Sequence, residues 1–149
     1  MMRNNTYTVF RGEHLMLSDI RDDDDNVLLS YVGDDCPFSD FTKSKHGINR
    51  YVLIVEQKNI NNAYKVRTMG KYRGYIFSVF SVEGSSTGMV FIGTSNKDVS
   101  TELNLLEINR NWYGNNINES ELDLIWEERI PTRGLPMPGG LETKVFLKK

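Results

Sequence analysis

KYRGYIFSVFSVEGSSTGMVFIGT, residues 71–94, holds two apolar runs, 75–82 and 89–94, parted by the loop 84–88. Aromatic and β-branched residues fill both runs, a composition suited to a pleated, half-buried surface. A five-residue loop with Gly84 and Gly88 at its ends suits a hairpin. Alternation sends Tyr75, Phe77 and Val79 to one face of the first strand, and Ile76, Phe80 and Val82 to the other. Apolar side chains on both faces predict a strand inside a sheet rather than at its edge.

Upstream, residues 7–10 and 15–17 flank Arg11-Gly12-Glu13 and read as an opening hairpin or one bulged strand. The aspartate-rich stretch 19–26 reads as a turn or a helix start, and 27–32 as a strand or a short helix. Residues 33–49 read as a loop pinned by Phe38 and Phe41, 51–56 (YVLIVE) as a buried strand, and 63–68 as a strand with one wet face. Downstream, Ser95 is an N-cap candidate, and Val99, Leu103 and Leu106 recur at helical spacing, predicting a helix over 97–107. Residues 109–118 read as a polar loop anchored by Trp112 and Tyr113, 122–130 as a strand stopped by Pro131, and 145–147 as a final strand. No internal repeat or linker is visible, so residues 1–149 read as one globular domain. The expected fold is α+β: a single, mostly antiparallel sheet of about seven or eight strands with one or two helices packed on it, a barrel being the rival form.

Composition bounds the function. The chain is 39% hydrophobic, which is globular, and its net charge of −2 gives no general attraction to nucleic acid or to anionic membrane. Cys36 is alone and excludes an internal disulfide. No apolar run approaches the ~18 residues of a membrane span, and no signal-peptide pattern opens the chain. A cytoplasmic protein with no membrane partner is expected. Charge is segregated along the chain: residues 19–40 hold eight acids against Arg21, and residues 43–73 hold eight bases against Glu56.

Tests for chemistry return no catalytic residue, metal ligand or cofactor. A calcium loop starting at Asp22 has Val27 where glycine is needed and Gly33 where the bidentate glutamate belongs. Cys36, His14 and His46 lack the local pairing of zinc ligands. Asp34 and Asp35 beside Cys36 oppose thiolate formation. A small nuclease-like enzyme using His46, Arg50 and Tyr51 is the third-ranked reading.

Residues 73–80, RGYIFSVF, partly resemble the RNP1 strand of RNA-recognition motifs through Arg73, Gly74, Tyr75, Phe77 and Phe80, while Ile76 and Ser78 depart from it. That resemblance implies nucleic-acid binding through Lys65, Arg67, Lys71, Arg73 and Tyr75, the second reading. In general character the chain resembles bacterial toxin-immunity proteins: short, single-domain, mildly acidic, without catalytic signature and with an acidic loop. This resemblance implies a protein-binding inhibitor whose acidic surface occludes the active site of a basic partner, a cognate toxin domain such as a nuclease. The contacts expected are Asp22, Asp23, Asp24, Asp25, Asp34 and Asp35, with Glu119, Glu121 and Asp123 as second choices.

Overall fold

The computed structural model describes residues 3–20, 24–82 and 88–149. Strands follow in the order β1 (Thr6–Phe10), β2 (Glu13–Asp19), β3 (Asn26–Val32), β4 (Thr42–Lys43), β5 (Arg50–Glu56), β6 (Tyr64–Tyr72), β7 (Tyr75–Ser81) and β8 (Met89–Thr94). Helix α1 (Lys97–Leu103) precedes β9 (Leu106–Asn109), β10 (Trp112–Asn118), β11 (Leu124–Pro131) and β12 (Lys144–Lys148). These twelve strands form one hydrogen-bonded sheet, and α1 is the one α-helix among the described residues. The expected α+β fold with seven or eight strands is therefore corrected to a β fold.

Three misreadings account for the difference, the smallest being the loop expected over 33–49, which contains the two-residue strand β4. The helix ends at Leu103 because Asn104 adopts a left-handed conformation, φ 54°, and sends Leu106 into a strand. Its N-cap is Asn96 rather than Ser95, with the Asn96 side chain accepting from the amides of Asp98 and Val99. Residues 112–118, expected as loop, form β10: polar Asn115 and Asn116 hid a strand whose Tyr113 and Ile117 are buried. The strand 51–56 exists, but it is half-exposed rather than buried. As expected, β7 is internal, paired with β6 and β8. Most of the loop that joins β7 to β8 lies outside the described residues.

The chain forms two compact units. The first comprises Asn5–Lys65 and Ile130–Leu141; the second comprises residues up to Asn4, Val66–Arg129 and Glu142–Lys149. Their strand orders are the same. The first runs β4-β5-β3-β2-β1-β6, and the second runs β9-β10-β8-β7-β6-β11, with β12 added on β11. Register agrees residue for residue. The cross-strand row Tyr7, Met16, Ser30, Val52, Thr42 answers to Met69, Ser78, Gly93, Gly114, Leu106.

The connections repeat as well. Arg11-Gly12 and Arg73-Gly74 make the first hairpin turn of each unit, all four at positive φ, the conformation two-residue hairpins require. A 3-10 turn follows β5 at Gln57–Asn59 and β10 at Glu119–Glu121, and its first amide donates to Asp25 O in one unit and Gly88 O in the other. Contrary to the expectation of no repeat, the architecture is an internal duplication. Each unit has its own core, and six positions correspond: Leu15, Leu17, Val27, Leu29, Ile60 and Ala63 answer to Phe77, Val79, Val90, Ile92, Leu122 and Ile125. Each large apolar side chain so buried contributes about 1.5–3 kcal/mol. Phe41 packs on the first core from the loop after β3, and Val99 of α1 packs on the second from the segment after β8.

An asparagine extends the β1 ladder. Asn62 Oδ1 accepts from Val9 N at 2.8 Å and Thr8 Oγ1 at 3.2 Å, and Asn62 Nδ2 donates to Val9 O at 3.0 Å. Its amide thus substitutes for the strand that β1 lacks beyond Tyr64. Asn62→Ala is expected to cost about 1–3 kcal/mol by leaving Val9 N–H and C=O unpaired. Urea denaturation checks this, as a lowered midpoint with unchanged slope.

Candidate functional site

Structure divides the acidic candidates. Asp22 and Asp23 lie outside the described residues. Asp24 and Asp25 are exposed just before β3, and Asp34 and Asp35 are exposed just after it. A seven-residue strand is about 20 Å long, so these are two poles rather than one cluster. Acids of the same run are neutralised: Asp19 pairs with Arg133 at 2.8 Å, and Asp40 meets the Arg11 guanidinium through two bonds of 2.9 Å. The hydrogen bonds from Arg11 hold the Asp40 carboxyl below its ordinary range and raise the arginine in turn. Among the described residues Asp25, Asp34 and Asp35 have no ion-pair partner.

The second-choice acids belong to the second unit and serve local structure. Glu121 accepts from Asn118 N at 3.0 Å while Asn118 Oδ1 accepts from Ser120 N at 3.0 Å, closing a capping box on the 3-10 turn that also holds half-buried Glu119. Asp123 is exposed, its amide donating to Lys71 O.

The basic candidates are arranged differently from the RNP1-like reading. Arg73 and Gly74 form the hairpin turn, and the Arg73 guanidinium lies 5.0 Å from the centroid of the Tyr72 ring. Tyr75 donates to the Glu102 carboxylate on α1, which raises the phenol above its ordinary range. Phe77 is 1% exposed in the core. Neither of these two aromatics is an open stacking surface; the third of the match, Phe80, lies on the opposite face of β7. Lys65 and Arg67 are exposed on alternate residues of β6, with Arg67 paired to Glu128 at 3.3 Å. Lys71 is half-exposed.

On β7 the face opposite the core holds Ile76, Ser78 and Phe80, and Ile76 is 59% exposed. Register continues this face through Phe91 and Gly93 of β8 to Asn116 and Gly114 of β10. Phe80 stands 6.2 Å from Phe91 and 6.4 Å from Trp112, centroid to centroid. The alternation read for Phe80 pointed to this surface, but reading 109–118 as loop removed Trp112 from it. The paired glycines Gly93 and Gly114 were the overlooked signal, since glycine inside a strand marks a close approach.

The enzyme-type candidates are not joined. Arg50 Nη2 reaches Ser30 Oγ at 3.3 Å, Tyr51 packs against the first core, and His46 sits in a turn made with Ser44. Cys36 Sγ approaches Phe38 O at 3.7 Å. A cleft of about 360 Å³ in the first unit is lined by Val9, His14, Asn62 and residues 138–141. Its one titratable side chain, His14, meets buried Tyr64 through Nδ1 at 2.6 Å. Among the described residues no helix is long and apolar enough to cross a membrane, and no group of three His, Cys, Asp or Glu could hold a metal ion.

A family model described as Uncharacterised conserved protein UCP033725 matches residues 2–133. No curated protein and no solved structure matches the chain.

Proposed function

The chain belongs to the family whose model matches it; we propose that it is a cytoplasmic protein-binding module, an immunity-type inhibitor that covers the active site of a basic toxin such as a nuclease. The observation that carries this reading is the pair of acidic poles at the two ends of β3, Asp24 with Asp25 and Asp34 with Asp35. Groups about 20 Å apart cannot share one metal ion or one small ligand. A protein partner burying about 800 Å² on each side spans that distance. Asp25, Asp34 and Asp35 keep their charge available, whereas Asp19 and Asp40 spend theirs on internal arginines. Exposed charge of this kind acts mainly on the rate of encounter with an oppositely charged partner.

The test uses the protein encoded by the adjacent reading frame, assayed for toxicity or nuclease turnover as the chain is titrated in. Stoichiometric loss of activity is expected. Asp34→Asn with Asp35→Asn should slow association about tenfold at low ionic strength, and the difference should vanish at high salt. No inhibition, or association with unchanged rate and salt dependence in both this variant and Asp24→Asn with Asp25→Asn, would overturn the reading.

A further inference from the structure

We propose that the second unit binds single-stranded nucleic acid on the sheet face opposite its core, independently of the acidic poles of the first unit. Three half-buried rings, Phe80, Phe91 and Trp112, lie side by side there. Two of them rest on glycine. A Cβ at Gly93 would stand 2.3 Å from Trp112 Cζ2, and one at Gly114 would stand 2.3 Å from Phe91 Cζ. Absent side chains at these paired positions let an indole and a phenyl ring settle against the backbone with part of each still in solvent.

Duplication shows that this shelf is no requirement of the fold. At the corresponding positions the first unit has Ser30 and Val52 in place of the glycines, and Leu28 and Arg50 in place of Phe91 and Trp112. Only the second unit has an aromatic surface here. Rings on a sheet are sequence-tolerant platforms for unpaired bases.

Charge favours an anionic occupant. Lys71 is in register with Ile76 on this face. Arg73 and Arg110 are exposed at the β6–β7 and β9–β10 hairpin tips. Both tips lie at the end of the sheet where Thr94 pairs with Tyr113, about three strand spacings or ~14 Å apart. Among the described residues none of these three cations has a carboxylate ion-pair partner; Arg67, farther along β6, is the one held by Glu128. Ser78 and Asn116 add hydrogen-bonding groups beside the rings. Stacking surface, cations and neutral polar groups together match a single strand. A protein ligand would use the same rings without needing the cations.

The experiment is fluorescence anisotropy of a labelled oligothymidylate of ~12 nucleotides, titrated with the full chain at low and moderate salt. Binding that weakens steeply with salt is expected. Phe91→Leu and Lys71→Glu should each weaken it about tenfold at unchanged melting temperature, and Asp34→Asn with Asp35→Asn should leave it intact. Quenching of Trp112 on binding is the second readout; Trp126, the other tryptophan, is 4% exposed. No binding at low salt overturns the proposal. So does equal competition by polyglutamate, which would mark a general polyanion surface, or affinity unmoved by either variant, which would place the oligonucleotide elsewhere.

Discussion

Replacing Gly114 with alanine is expected to destabilise the protein by about 3 kcal/mol or more, at the upper end of what overpacking costs. The new Cβ would stand 2.3 Å from two atoms, Phe91 Cζ and the backbone oxygen of Ile92. Phe91 can rotate away. Ile92 O is part of the β8–β10 ladder, and Ile92 itself is 0% exposed in the core, so relief there requires the strands to separate. Gly93→Ala is the informative contrast. The three atoms nearest its Cβ all belong to the Trp112 ring, at 2.3 to 2.9 Å, and a half-buried ring can swing outward. That variant should lose less stability than Gly114→Ala while moving the Trp112 emission toward that of an exposed indole. Thermal melting with tryptophan fluorescence separates the two. Equal, small losses in both variants would mean that the rings, not the backbone, absorb each methyl group, and the shelf would then be looser than the distances imply.

The hairpin at 71–94 was legible because its alternation is strong, and β7 lies inside the sheet as its two apolar faces demanded. The duplication was not legible, for a physical reason. What the units share is alternation and register, and those survive almost any exchange of apolar residues: Leu15 answers to Phe77, and Ala63 to Ile125. Identity persists where the backbone restricts the choice, as at the Arg-Gly turns, and those two residues alone do not announce a repeat. The acidic run was legible as charge but not as geometry. Proximity along the chain joined Asp25 to Asp34, and a seven-residue strand holds them apart. Equally, Asp19 and Asp40 find their arginines across long sequence separations that no local reading supplies.

Glu127 is the second large lever, and it too was unmarked in sequence. It is 4% exposed, and a buried carboxylate is tolerated only when it is paired. Arg3 reaches it through Nε at 3.0 Å and Nη2 at 2.9 Å, and Arg129 through Nε at 3.0 Å and Nη2 at 2.8 Å. Glu127→Ala is expected to cost about 3–5 kcal/mol, because it leaves the largely buried Arg129 without its counter-charge. Burial alone would push the Glu127 carboxyl upward; the hydrogen bonds from Arg3 and then Arg129, with their charges, outweigh it and hold it below the ordinary range. A carboxyl depressed in the folded state contributes stability that is fully present above its unfolded value, about 4.3, and fades as pH falls through the folded value. Melting temperatures of the native chain and of Glu127→Gln should therefore differ most near pH 7 and converge as pH falls below the unfolded value, about 4.3, and through the folded one. A gap that stays constant across that range would assign Glu127 a packing role and remove the charge from the account. Convergence would identify the triad Arg3–Glu127–Arg129 as the electrostatic clamp that ties the N-terminal residues to β11 within the second unit.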